Sequence, residues 1–181
     1  MSQITYWNMS RLFIETFPEL EPEYHEREKK WNEPKKPFED LQLKEERKKF
    51  DDQIRRAGLD PNSPYEMWLH VVYGDHLNPY VERLIRIPGN GKTLQKIFDF
   101  LEQLVEAAKT DEGIEGVLYA TIFDRILGNK ELESVYTFIR PKTAIFCKWV
   151  LDKGKFIEDV NIQFNNLFPN LKDVDKESWR N

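Results

Sequence analysis

From Thr93 to Val150 apolar residues return every three or four positions through successive stretches, and that spacing admits one element type. Leu94, Ile97, Phe98, Leu101, Leu104, Val105 and Ala108 fall on one side of a helix over Thr93 to Lys109. Ile114, Val117, Leu118, Ile122, Phe123 and Ile126 repeat the pattern from Asp111 to Leu127. A third stripe holds Leu132, Val135, Tyr136 and Ile139, and a fourth runs through Ile145, Trp149 and Val150. A helix with one apolar side must bury it against another such side, so the chain is bound to pack helix on helix.

Proline, glycine and capping residues divide these stripes at short intervals. Apolar positions Phe13, Ile14 and Phe17 within Ser10 to Phe17 predict a short amphipathic helix that Pro18 ends. Ser63-Pro64-Tyr65-Glu66 carries serine at a cap, proline at the first helical position and glutamate at the third, which predicts a helix reaching about Tyr73. Gly74 is expected to end it with positive φ, and Asn78 to cap a further helix that Pro79 begins and Pro88 ends. Gly89-Asn90-Gly91 reads as a turn, Gly128-Asn129 as a cap and restart, Pro141 as a helix opening and Gly154 as its end. From Phe156 the pattern fits helix better than strand. The fold expected is all-α, stacked antiparallel helical hairpins of a HEAT-like or irregular-bundle kind with a charged N-terminal helical arm. A single domain over residues 1–181 is expected, with the arm in 1–58, a hairpin core in 59–154 and an extension in 155–181.

The arm stands out by composition. Most residues from 21 to 56 are charged, acids and bases in equal number, and pairs such as Glu26 with Lys30 and Asp51 with Arg55 sit four apart, as on solvated helices. A break at Asn32 to Pro37 separates two such helices. The second keeps a thin apolar seam through Leu43, Phe50, Ile54 and Ala57, closed by Gly58 before a loop from Leu59 to Asn62. Interleaved signs and a net charge of -5 disfavour attraction to phosphate backbones, so nucleic acid is a poor default partner. No apolar run is long enough to cross a membrane. The one cysteine, Cys147, has no partner for a disulfide within the chain, and the start lacks a secretory pattern, which together predict a cytoplasmic location.

The densest chemistry lies in Trp68-Leu69-His70-Val71-Val72-Tyr73-Gly74-Asp75-His76-Leu77-Asn78-Pro79-Tyr80, which holds two of the three histidines. His70, Asp75 and His76 are poorly spaced for a metal, and structural roles suffice for them, so no metal or cofactor is expected. A turn must lie at the surface, however, so Tyr73, Asp75, His76, Asn78 and Tyr80 are candidate contact residues. A second candidate surface is the acidic ladder Asp99, Glu102 and Glu106, with Asp111, Glu112 and Glu115 nearby, which a basic partner would fit and which otherwise reads as a solvated face. Gly89-Asn90-Gly91-Lys92-Thr93 looks like the end of a phosphate loop, but Arg86 stands where the first glycine belongs and Pro88 removes a donor. Cys147, in Ile145-Phe146-Cys147-Lys148-Trp149, reads as an inert small hydrophobe, and no serine sits in a nucleophile elbow. Trp31 and Trp179 lie among charges, where exposed aromatics would serve binding.

The segment Leu12-Phe13-Ile14-Glu15-Thr16-Phe17-Pro18-Glu19-Leu20, the block His70 to Tyr80 and the paired helices after it resemble a family of small bacterial proteins catalogued as a domain of unknown function. The resemblance spans about residues 10–20 and 64–148. It implies a helical fold and a bacterial origin and brings no activity or catalytic residue with it.

On these grounds the function expected is a non-catalytic protein-interaction module, for example an acidic inhibitor or immunity-type protein with a basic protein partner. The alternatives are a metal-dependent or acid–base hydrolase using the His70 to Tyr80 block, and a nucleic-acid-associated regulator using the basic residues of the arm.

Overall fold

A computed structural model describes residues 3–32, 45, 48–49, 51–53, 55–56, 72–128, 130–154, 158–171 and 178–180. Every regular element among them is helical, as the apolar period requires, and there is no strand. The Ser63-Pro64 helix start, Trp68, His70, the break and apolar seam of the arm, Gly58, the loop after it, Asn129 and the side chain of Trp31 lie outside the described residues. Backbone contacts divide the chain into two compact units, Ile4–Val72 and Tyr73–Asn181 with Met1–Gln3.

In the first unit α1 (Met9–Thr16) buries Met9, Ser10, Phe13 and Ile14, and the Asn8 side chain accepts from the Thr5 amide at 2.9 Å just before it begins. Pro18 stops α1, as its sequence position predicts, and opens a short 3-10 turn, Pro18–Leu20, that leads into α2 (Glu21–Asn32). Residues 45, 48–49, 51–53 and 55–56 of the arm are helical. There Arg55 meets Asp52 at 3.1 Å, three residues away, where the sequence spacing pairs it with Asp51.

The second unit begins with a π-helical stretch, Tyr73–Leu77, that runs directly into α3 (Asn78–Ile85). The expected turn at Gly74 and the expected cap at Asn78 are both absent: Gly74 does not have positive φ, and Leu77, itself helical, precedes Asn78 with no side-chain cap. Proline accounts for the difference. A proline ring collides with the carbonyl four residues back, here that of Asp75, and a widened turn before Pro79 relieves that collision without breaking the helix.

Gly89 has φ of 94°, a conformation that glycine takes without strain, and the Asn90 amide donates to the carbonyls of Leu84 and Ile87. These two residues close α3 and start α4 (Gly91–Ala108). The 111–127 stripe is α5 (Glu112–Val117), a second π-helical stretch, Leu118–Phe123, and α6 (Asp124–Gly128). Asp111 caps α5 by accepting from Gly113 and Ile114. The next stripe is a 3-10 helix, Lys130–Phe138, since Val135 and Phe138, like Tyr136 and Ile139, are three apart and that interval suits either helix type. Pro141 opens α7 (Pro141–Lys153), and the tail is helical in α8 (Glu158–Leu167).

Helix α7 is the centre of this unit. It packs against α4, α6, the second π stretch and a C-terminal 3-10 turn, Ser178–Arg180. Thr143, Ala144, Phe146, Cys147, Trp149, Val150 and Leu151 are all buried, which is burial on most of its circumference rather than along one stripe.

Candidate functional site

Polar and charged side chains gather at several places among the described residues of the second unit, and three of these hold residues that the sequence singles out. In the first, Tyr73, His76 and Asn78 face inward: His76 and Asn78 are each 1% exposed and Tyr73 is fully buried. The expected surface turn therefore does not exist, and of the five candidate contact residues only Asp75 is exposed, with Tyr80 half-buried beside Arg83. Burial pushes the Tyr73 hydroxyl well above its ordinary pKa, which leaves it neutral.

The two π stretches pack on each other here. A Cβ on Gly74 would lie 3.4 Å from the Thr121 methyl, and the Asn78 amide donates to the Thr121 carbonyl at 2.8 Å. A widened turn opens its carbonyls to side-chain donors, so Asn78 joins one irregular turn to the other.

The acidic ladder forms the second place, and its carboxylates are engaged within the chain. Asp99 takes the Arg140 guanidinium at 2.5 Å and Gln95 at 3.2 Å. Glu102 accepts from the amides of Lys142 and Thr143 at 3.1 and 2.7 Å and from the Thr143 hydroxyl at 2.6 Å. Glu106 binds the ammonium groups of Lys142 and Lys109 at 2.5 and 3.2 Å. Glu102 thus caps α7 from a neighbouring helix, satisfying amides that a helix start leaves without partners. The hydrogen bond from Arg140 lowers the Asp99 pKa, and that from Lys142 lowers the Glu106 pKa.

The third place is a surface cleft of about 390 Å³ bordered by α5 and α7, lined by Glu112, Glu115, Tyr119, Trp149, Lys153 and Arg180. Gly116 also borders it, and a Cβ there would meet nothing within 4 Å. Tyr119 stands edge-on to Trp149 with ring centres 5.5 Å apart. The Lys153 ammonium lies over the Trp149 ring at 4.0 Å, and the Arg180 guanidinium over Trp179 at 4.5 Å. Arg180 also pairs with Glu115 at 2.5 Å.

Trp179, expected to be exposed, is 2% exposed and packs against Phe146 and Trp149. Its charged sequence neighbours hide an apolar partner far away in the chain. The cleft left local traces in the sequence: Glu112 and Glu115 of the acidic cluster line it, and Trp149 and Lys153 sit at helical four-residue spacing. Cys147 is buried, and burial raises its pKa, so the thiol is held in its unreactive form. Among the described residues no group of three His, Cys, Asp or Glu side chains is placed to hold a metal, and no helix is long and apolar enough to cross a membrane.

Comparison with protein-family models, with curated proteins and with solved structures gives no match.

Proposed function

We propose that this chain is a non-catalytic protein-binding module of a bacterial cytoplasm, an acidic protein that engages a basic partner through the cleft between α5 and α7. The cleft carries this reading because it combines a half-buried Tyr119 and the Trp149 ring beneath Lys153 with charged groups of both signs, the mixture found at interaction hot spots. A net charge of -5 favours encounter with a cationic protein. Further support comes from the interior: Tyr73 and Cys147, two groups able to carry out proton or acyl transfer, are buried and held neutral. The hydrolase alternative has less support because His76, the histidine of its block among the described residues, is 1% exposed. Interleaved acids in the arm weigh against the nucleic-acid alternative.

Immobilised protein challenged with lysate of the native host tests the reading. Expected is a basic protein retained at equal stoichiometry and released by salt, with no turnover of ester or phosphate substrates by the purified chain. Substrate turnover without any retained protein would overturn it.

A further inference from the structure

We infer that the α5–α7 cleft is a receptor for a lysine or arginine side chain of the partner, and that Lys153 occupies it from within the chain until that side chain arrives. The inference rests on the protein-binding reading above and names the chemistry it would use.

The floor is aromatic and rigidly held. Trp149 is 1% exposed and packs against Phe146 and Trp179 with ring centres 5.1 and 5.5 Å away, while Tyr119 stands edge-on to it. An aromatic face is negative, so it attracts cations. The rim adds carboxylates: Glu112 is exposed and has no ion-pair partner among the described residues, and Glu115 is engaged by Arg180. Next to Glu115, Gly116 leaves open space beside α5, room for an approaching side chain or backbone.

That this floor suits an alkylammonium is visible directly, because one is seated on it. The Lys153 ammonium is 4.0 Å from the Trp149 ring centre, and among the described residues it has no hydrogen bond or ion pair besides that ring contact. Lys153 is exposed, is the last residue of α7 and has a flexible four-carbon stem, so it can swing into water when a competing cation enters. Arg180 is held differently, by Glu115 and by the face of Trp179, and it stays as a wall. An anion bridging Lys153 and Arg180 is the opposite possibility, and it would have Glu112 and Glu115 beside it.

The test uses the full chain and two short unstructured capped peptides, one alternating glycine with lysine and one alternating glycine with glutamate. Binding is read by tryptophan fluorescence and by the amide shifts of Gly116 and Tyr119. Wild type should bind the lysine peptide weakly at these residues, and Lys153→Ala should bind it about threefold to fivefold more tightly because the internal competitor is gone. Gly116→Leu, which fills the cleft, should lose binding more than about tenfold, while Gly116→Ala should keep it; both should melt no lower than wild type, since glycine is a poor helix former. Weaker binding by Lys153→Ala, preference for the glutamate peptide, equal binding by Gly116→Leu or no binding to any variant would each overturn the inference. A host protein retained equally by wild type and Gly116→Leu would leave the interaction reading standing and remove the cleft from it. Peptide binding as described, with no host protein retained, would do the reverse.

Discussion

At Asn78 a single amide group links two widened helical turns that lie far apart in the chain. Its Nδ2 donates to the Thr121 carbonyl at 2.8 Å, whereas its buried Oδ1 has no hydrogen-bond partner among the described residues. Replacing it by alanine removes a useful donor and an unsatisfied acceptor together, so the cost sits at the low end for a buried polar group, about 1 kcal/mol. Asn78→Asp keeps the shape and puts a carboxylate against a carbonyl, and should cost more, about 2–3 kcal/mol. Urea denaturation of both variants checks the order; equal costs would mean that the introduced carboxylate is not held against the Thr121 carbonyl. His76→Ala belongs to the same interior and tests packing, because a residue 1% exposed cannot be a contact for a partner.

Helix α7 depends on a cap that it does not carry. Arg140, the residue before it, is extended and its side chain, turned to Asp99, makes no capping bond, and Pro141 lacks an N–H, so the amides of Lys142 and Thr143 turn to Glu102 of α4. Thr143 is buried, so its amide and hydroxyl find no water to replace a lost acceptor. Glu102→Ala should therefore destabilise the protein by about 2–3 kcal/mol, more than an exposed helix cap does. Glu102→Gln, which keeps one acceptor oxygen without the charge, should fall between. Chemical denaturation gives the magnitudes, and faster amide exchange at Lys142 and Thr143 would locate the damage at the start of α7.

For the whole molecule the charge pattern sets a dependence on acid. Asp99 and Glu106 ionise more readily in the folded protein than at their ordinary values of 3.8 and 4.5. A carboxyl with a lowered folded pKa contributes stability that is complete above its unfolded value and is lost as the pH falls through it. Stability should thus hold near neutrality and decline below about pH 5. Both side chains are nearly half exposed, 46% and 47%, so water and salt screen them and their share of the decline is small. In the double variant Asp99→Asn, Glu106→Gln the drop in urea midpoint between neutral and acid pH should be shallower than in wild type. Added salt should narrow the gap between the two proteins at neutral pH; a gap insensitive to salt would contradict the assignment.

Local chemistry, readable from residues near one another, determined the helical class and many of its boundaries. Pro18 and Pro141 punctuate as their missing donors require, Asp111 caps its own helix, and Gly89 with Asn90 makes the turn between α3 and α4. The helical period of the apolar residues did the rest. What only the tertiary structure decided involves partners too distant for any pattern to join. The ladder residue Asp99 meets Arg140 across 41 positions, Asn78 meets Thr121 across 43, and Glu115 meets Arg180 across 65. For this reason the acidic ladder read as a solvated face or a docking surface, and Trp179 as exposed. The block around His76 read as a surface turn for a related cause: a π-helical turn before a proline uses the same residues as a helix break. Which of the two forms depends on what packs against it, here the second widened turn at Leu118–Phe123.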